Sequence, residues 1–342
     1  MTTKNRITVA VLMGGDSSER SVSFSSGRAV AAALDSTKFE LTCFDVSSQG
    51  DLGDISRADA MGRKPRHAIF PVSWDHLVTA LYTNGFDVVL PMLHGGRGED
   101  GTLQALLSVA GIPAVGSPAR ACAIALDKTL AKAYAREFGV TSPRGWYITD
   151  VAQLDALPAG TLPGGCVVKP NGGGSSVGVT LLRESDPEKL RLAVATALQD
   201  GTGALIEELI VGTETTCAVL GEGEAARALP VIEIVPVKGG GFYDFEAKYA
   251  SGGSDHIIPA RLPESVLSEI QKQAEAVHRA YGCRGVSRSD FMISQDGTPY
   301  YLETNCLPGM TETSLVPDAA RAAGLEFGEL LEKLIAGALQ RL

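Results

Sequence analysis

Apolar positions follow two rhythms along the first part of the chain. Short unbroken runs at 7–12 and 87–93 end at or shortly before paired glycines, and each is followed by helical spacing, at 23–34 and at 102–110. A continuous apolar run bounded by turn signals predicts a strand buried on both faces. Strand-then-helix order predicts an α/β unit with a parallel sheet, whose ligand-binding loops gather at the carboxyl ends of the strands. Residues 47–80 break this rhythm and read as an irregular insertion with room for one helix.

A long helical pattern at 119–138 leads into a different arrangement. Runs at 166–169 and 177–182 predict strands on either side of a glycine loop, and 186–199 predicts an amphipathic helix opened by Asp186-Pro187. A strand follows at 204–210. From Glu214 onward strands dominate, interrupted by a helix at 264–281 and closed by one at 326–341. Changes of pattern near 122 and 213 divide the chain into three units, 1–122, 123–213 and 214–342.

Composition narrows the class without choosing a function. The chain has 342 residues, 44% apolar and 20% charged, with 39 glycines, which suits two or three globular domains. A formal net charge of -10 disfavours a nucleic-acid or anionic-membrane partner. Any polyanion held here must meet a local cluster of cations. Six cysteines lack CxxC pairs and metal-like spacing, the pattern of a reducing compartment. No signal-peptide layout opens the chain and no run of 18 apolar residues occurs, so a cytoplasmic protein is expected.

Chemistry-bearing residues fall in loops and on strand faces. Lys169-Pro170-Asn171-Gly172-Gly173-Gly174-Ser175-Ser176-Val177-Gly178 joins two expected strands. Its backbone N–H groups can cradle phosphate, with Lys169 supplying charge; a glycine hairpin without a ligand would look the same. Downstream, a period of two puts Arg288, Asp290 and Met292 on one strand face and Tyr301, Glu303 and Asn305 on another. If those strands pair antiparallel, Asp290, Glu303 and Asn305 converge as oxygen donors suited to Mg²⁺. The stretch Phe242 to Tyr249 follows three glycines, as a lid or an ordinary surface turn would. Pro308 to Ser314 offers the Gly309 N–H and a hydroxyl, or simply a capped helix entry. Glu19 and His94 sit at the expected carboxyl ends of two parallel strands.

Together these segments resemble the D-alanine–D-alanine ligase family of the ATP-grasp superfamily, from the GG-x-S-x-ER-x-VS start to Ser314-Leu315-Val316-Pro317. The resemblance implies three α/β domains with a parallel-sheet N-terminal substrate domain and ATP held between the central and C-terminal ones. It implies ligation of two D-alanines through a D-alanyl phosphate, toward peptidoglycan precursors, by a cytoplasmic homodimer. Lys128 and Lys169 would bind ATP phosphates beneath the loop bearing Ser175 and Ser176. Glu207, the backbone near Ile210 and Met292 would meet the adenine, and Glu214 the ribose. Asp290, Glu303 and Asn305 would hold two Mg²⁺ (or Mn²⁺) ions. Glu19, helped by His94, would take the first ammonium, and Ser175, Tyr249 and Glu19 would fasten the lid. Lys248 would reach the γ-phosphate, and with Ser314 the second carboxylate. Arg288 and the Gly309 N–H would face the oxyanion.

Departures from the family pattern are Phe245 in the lid, Cys306 after the metal amide, Ser287 before the arginine and the long 47–80 segment. None removes a charge or a ligand. A sister ligase using D-lactate or another D-amino acid is the alternative, and Lys248-Tyr249 favours an amine. An ATP-binding regulator without ligase chemistry would be expected to lack Asp290, Glu303 or Arg288. A nicotinamide dehydrogenase would need a GxGxxG strand-to-helix turn, which is missing.

Overall fold

The computed structural model describes residues 6–48, 69–157, 165–174, 178–236 and 254–341. The first unit is a sheet of four parallel strands in the order β3-β2-β1-β4, formed by β1 (Ile7–Gly14), β2 (Phe39–Ser47), β3 (Ile69–Ser73) and β4 (Val88–Pro91). Helix α1 (Arg20–Ala33) joins β1 to β2, α2 (Leu77–Asn84) joins β3 to β4, and α3 (Thr102–Val109) follows β4. β1 and β4 are buried almost throughout, as continuous apolar runs in a parallel sheet require.

The segment 47–80 is not wholly irregular. β3 lies within it and α2 begins there, while 49–68 is outside the described residues. β2, with Phe39, Cys43, Phe44 and Val46 buried among polar neighbours, gives a diluted version of the strand signal and escapes the sequence reading.

The helical pattern at 119–138 is two helices, α4 (Ala119–Leu126) and α5 (Lys128–Arg136). Asp127 between them is extended, and its carboxylate accepts from the Leu130 N–H, so it caps α5. Such a cap contributes about 1 kcal/mol and competes with continuing the helix through Asp127.

The middle sheet is antiparallel, in the order β5-β8-β6-β7: β5 (Gly145–Ile148), β6 (Cys166–Pro170), β7 (Thr180–Leu182) and β8 (Ala204–Glu208). Helix α6 (Pro187–Ala197), capped by Asp186 with proline in its first turn, packs on it. The third sheet runs β12-β11-β9-β13-β14, with β10 (Arg227–Ala228) paired to β9. Its strands are β9 (Gly212–Glu222), β11 (Ile232–Pro236), β12 (Ser254–Ile257), β13 (Arg284–Ser294) and β14 (Pro299–Asn305). Helix α7 (Glu264–Tyr281) covers one face, and α8 (Leu315–Ala322) and α9 (Phe327–Leu339) close the chain.

Two packing relations set up the site. Leu330, Leu334 and Ile335 of α9 share one core with Val9 and Val11 of β1 and Val286 of β13, so the last helix ties the parallel sheet to the third one. Ala131 and Ala135 of α5 share another core with Tyr281, Phe291 and Tyr301. Helix α5 is therefore seated on the third sheet, and its opposite side looks toward the middle sheet. Among the described residues no helix is long and apolar enough to cross a membrane, and all six cysteines are buried free thiols.

Candidate active site

β13 and β14 pair antiparallel, with Arg288 opposite Asn305 and Asp290 opposite Glu303. The register slips between Asp290 and Phe291, so Tyr301 rather than Leu302 stands opposite Phe291. This bulge corrects the expectation that Tyr301, Glu303 and Asn305 share a face. Tyr301 is fully buried, edge-on to Phe291, and its hydroxyl donates to Thr304 Oγ1 at 2.9 Å, three residues on. An extra residue in one strand changes the alternation, so Glu303 and Asn305 face away from the core that Tyr301 fills.

The Asp290 face of β13 is held by charge. Arg288 forks onto Asp290, Nε to Oδ1 and a terminal nitrogen to Oδ2, both at 2.9 Å. Thr216 on β9, opposite Asp290, donates from Oγ1 to Oδ1 at 2.6 Å. Glu214 stands two residues from Thr216 and opposite Met292, so both lie on this same face. Asn305 Oδ1 accepts from the Leu307 N–H at 2.8 Å, which fixes the turn after β14.

Lysines face this hairpin. Lys128, first residue of α5, places Nζ 3.2 Å from Glu303 Oε2 and also donates to the Gly173 carbonyl. It thus touches the acidic hairpin and the glycine loop at once. Asn171 anchors that loop: its carbonyl accepts from the Lys128 N–H at 3.0 Å, and its Oδ1 from the Thr129 N–H at 2.9 Å. Lys169 on β6 and Glu207 on β8 are diagonal neighbours on one sheet face and pair at 2.7 Å. Neither Asn171 nor a third buried lysine, Lys132, stands out in the sequence. Lys132 follows Lys128 by one helical turn, and that four-residue spacing was the available signal.

Lys132 is 3% exposed, contacts Glu207 Oε1 and donates to the Tyr301 carbonyl at 3.3 Å. Burial pushes its pKa down to about 7, with the Lys169 charge adding to the effect and Glu207 opposing it. Burial also works against the Lys169 charge, but there Glu207, Glu303 and Glu214 prevail and hold the ammonium above its ordinary range. Burial opposes ionisation of Glu207 too, yet the two lysines keep its carboxyl below the usual range. Its carboxylate is committed to two ammonium groups.

On the parallel sheet, Glu19 at the start of α1 is buried, and its carboxylate lies against Gly95 after β4 and Gly174 of the glycine loop. Ser17 Oγ donates to the His94 carbonyl at 2.5 Å. His94 Nε2 meets Ser26 Oγ at 3.0 Å, and Ser26 Oγ also accepts from the Met310 N–H at 3.4 Å. His94 therefore connects the first unit to the loop carrying Gly309. Ser314 does not cap α8; its Oγ lies 2.7 Å from Thr311 Oγ1, beside Gly309. Ser175, Ser176, Lys248 and Tyr249 lie outside the described residues, and Ile210 is half-buried just past β8.

A glycine-rich segment after β6, buried lysines and an acidic hairpin, brought together where the middle and third sheets meet, mark an ATP-grasp enzyme. The chain belongs to the D-alanine–D-alanine ligase family: its N-terminal family model matches residues 8–117 and its C-terminal one residues 153–336. A D-alanine–D-alanine ligase of Azorhizobium caulinodans is 41% identical over 96% of each chain. One of Moorella thermoacetica is 39% identical over 97% of this chain and 99% of that one. The fold matches D-alanine–D-alanine ligase from Bacillus anthracis complexed with ATP, with TM-score 0.74 and 28% identity over 98% of both chains. VanG D-Ala:D-Ser ligase of Enterococcus faecalis is similar at TM-score 0.79 and 30% identity over 97% of this chain and 99% of that one.

Proposed function

We propose that this enzyme joins two D-alanines with ATP, forming D-alanyl-D-alanine through D-alanyl phosphate. The observation that carries the reading is Lys128 bridging Glu303 of the acidic hairpin and the Gly173 carbonyl of the glycine loop. A triphosphate between those walls would meet Lys128 and Lys169, with Ser175 and Ser176 of the loop and Lys248 of the lid completing its contacts. Glu207, Ile210 and Met292 would border the base and Glu214 the ribose. The units 1–122, 123–213 and 214–342 would serve as substrate, loop and metal domains.

The donor set fits a divalent ion. Asp290 and Glu303 face each other across one strand pair beside Asn305, all hard oxygen donors. Among the described residues no three of His, Cys, Asp and Glu converge, so the two carboxylates would need the amide and the nucleotide's own oxygens to complete a shell. Bound there, two Mg²⁺ or Mn²⁺ ions would offset phosphate charge as a carboxylate approaches the γ-phosphorus.

Phosphoryl transfer asks chiefly for positioning and charge stabilisation. Glu19, with His94 behind it, would hold the first ammonium, so that the carboxylate of that D-alanine points to the phosphate. Attack by its oxygen forms the acyl phosphate and releases ADP. The amine of a second D-alanine, its carboxylate held by Ser314 and Lys248, then attacks the carbonyl. Arg288 and the Gly309 N–H would stabilise the oxyanion before phosphate leaves. Tyr249, linked to Ser175 and Glu19, would keep water from the acyl phosphate.

Purified protein given ATP, Mg²⁺ and D-alanine should release phosphate in step with dipeptide; ATP hydrolysis without dipeptide would sink the assignment. Competition between D-lactate and D-alanine across pH fixes the second substrate, with the amine expected to prevail. We also assign the enzyme to the cytoplasm as a homodimer, which sedimentation of the purified chain would test.

A further inference from the structure

Lys132 has no role in the scheme above, yet it touches both the middle and the third sheet. Its helix is seated on the third sheet, with Ala131 and Ala135 in the core beside Tyr281 and Tyr301. Its ammonium leaves that core, donates to the Tyr301 carbonyl two residues before Glu303, and contacts Glu207 of the middle sheet. The other oxygen of Glu207 holds Lys169. A buried lysine with an apolar stem is costly unless every charge around it is matched. Here two lysines share one carboxylate, and each wall of the cleft supplies part of the match.

We propose that Lys132 is a positioning residue for ATP: it struts β14 against β8 and, through Glu207, aims Lys169 at the triphosphate. This rests on the nucleotide lying between those walls. The geometry assigns Lys132 no contact with the reacting atoms, so its loss acts on nucleotide capture rather than on the chemical step. Lys128, one turn earlier, fastens the same two walls at Glu303 and Gly173. Cleft width is thus set by two lysines on one helix face.

The test is Lys132→Met in the full chain, which keeps length and apolar volume and deletes the charge. The KM for ATP is expected to rise about tenfold or more, with kcat within about threefold and the KM for D-alanine unchanged. Calorimetric titration with ATP in the absence of D-alanine should report the same loss of affinity. That titration stays informative if the wild type makes no dipeptide, an outcome that would count against the ligase reading alone. Lys132→Gln, whose amide can still donate to Glu207, should fall between the two, and it serves if the methionine variant does not fold. Combined with Glu207→Gln, Lys132→Met should add little further loss of ATP affinity, because both act through Lys169. Unchanged ATP affinity, a loss confined to kcat, or losses that multiply in the double variant would each overturn the proposal.

Discussion

A methyl group built on Gly174 would lie 2.9 Å from Oε2 of Glu19, and one built on Gly95 would lie 2.7 Å from the same oxygen. Glycines from two different units thus press on one buried carboxylate. Gly174 of the glycine loop therefore also borders the carboxylate assigned to the first ammonium. Gly174→Ala should displace Glu19, because contacts under 3.0 Å force a shift. We expect the KM for the first D-alanine to rise roughly tenfold, about 1.4 kcal/mol, while ATP affinity stays near wild type. Steady-state kinetics with each substrate varied in turn decides it. An effect on ATP alone would mean that the loop and Glu19 are not coupled.

Arg288 and Asp290 lean on one another through two 2.9 Å hydrogen bonds. Arg288→Ala removes the proposed oxyanion donor, a change that costs about 10²–10³ in kcat where such donors have been deleted. ATP binding, measured directly by titration, should weaken far less. Arg288→Lys should recover little, because an ammonium cannot reproduce the planar fork. Equal losses of turnover and nucleotide affinity would contradict the assigned role.

Much of this was legible from local pattern. Continuous apolar runs marked β1 and β4, the Asp186-Pro187 start marked α6, and the spacing of Asp290, Glu303 and Asn305 marked the acidic hairpin. What escaped depended on tertiary context. The Leu302 bulge leaves no mark on a period of two, so the alternation puts Tyr301 on one face with Glu303 and Asn305 although the core claims it. Asp127 reads as an ordinary polar residue within a helix until its carboxylate is found capping α5. Lys132 looks like a solvated helix lysine, and only the packing of α5 between two sheets buries it. Ser287, a departure from the family pattern, has a partner across the fold: its Oγ lies 2.7 Å from His278 Nδ1.

Glu303 carries the metal assignment and also pairs with Lys128 at 3.2 Å. Glu303→Gln keeps an oxygen ligand but deletes the charge, and it weakens the pairing with Lys128 while the bond to the Gly173 carbonyl remains. The Mg²⁺ concentration for half-maximal activity is expected to rise roughly tenfold, since ligand charge sets affinity in oxygen-donor sites. Saturating Mg²⁺ should recover part of the turnover, and chelation should abolish wild-type activity until Mg²⁺ or Mn²⁺ is restored. Turnover that survives exhaustive chelation would remove the ions from the scheme.

His278 sets an acid limit on stability away from the cleft. It is fully buried on α7, with Nε2 3.1 Å from the Gly221 carbonyl and Nδ1 near Ser287 Oγ, so the neutral ring donates at one nitrogen and accepts at the other. Burial pushes its pKa down to about 4, Arg279 adds to that, and the Gly221 carbonyl pulls the other way. Because the folded value lies below the unfolded one, near 6.5, the unfolded chain binds the proton first as pH falls. The contribution is complete above the unfolded value and disappears progressively between about 6.5 and about 4, amounting to roughly 3 kcal/mol. His278→Gln should be less stable near neutral pH, having lost the ring's packing and directed bonds, yet show a shallower acid decline. Urea unfolding of both proteins at several pH values across that window measures the two slopes. Parallel slopes would mean that another group carries the acid sensitivity.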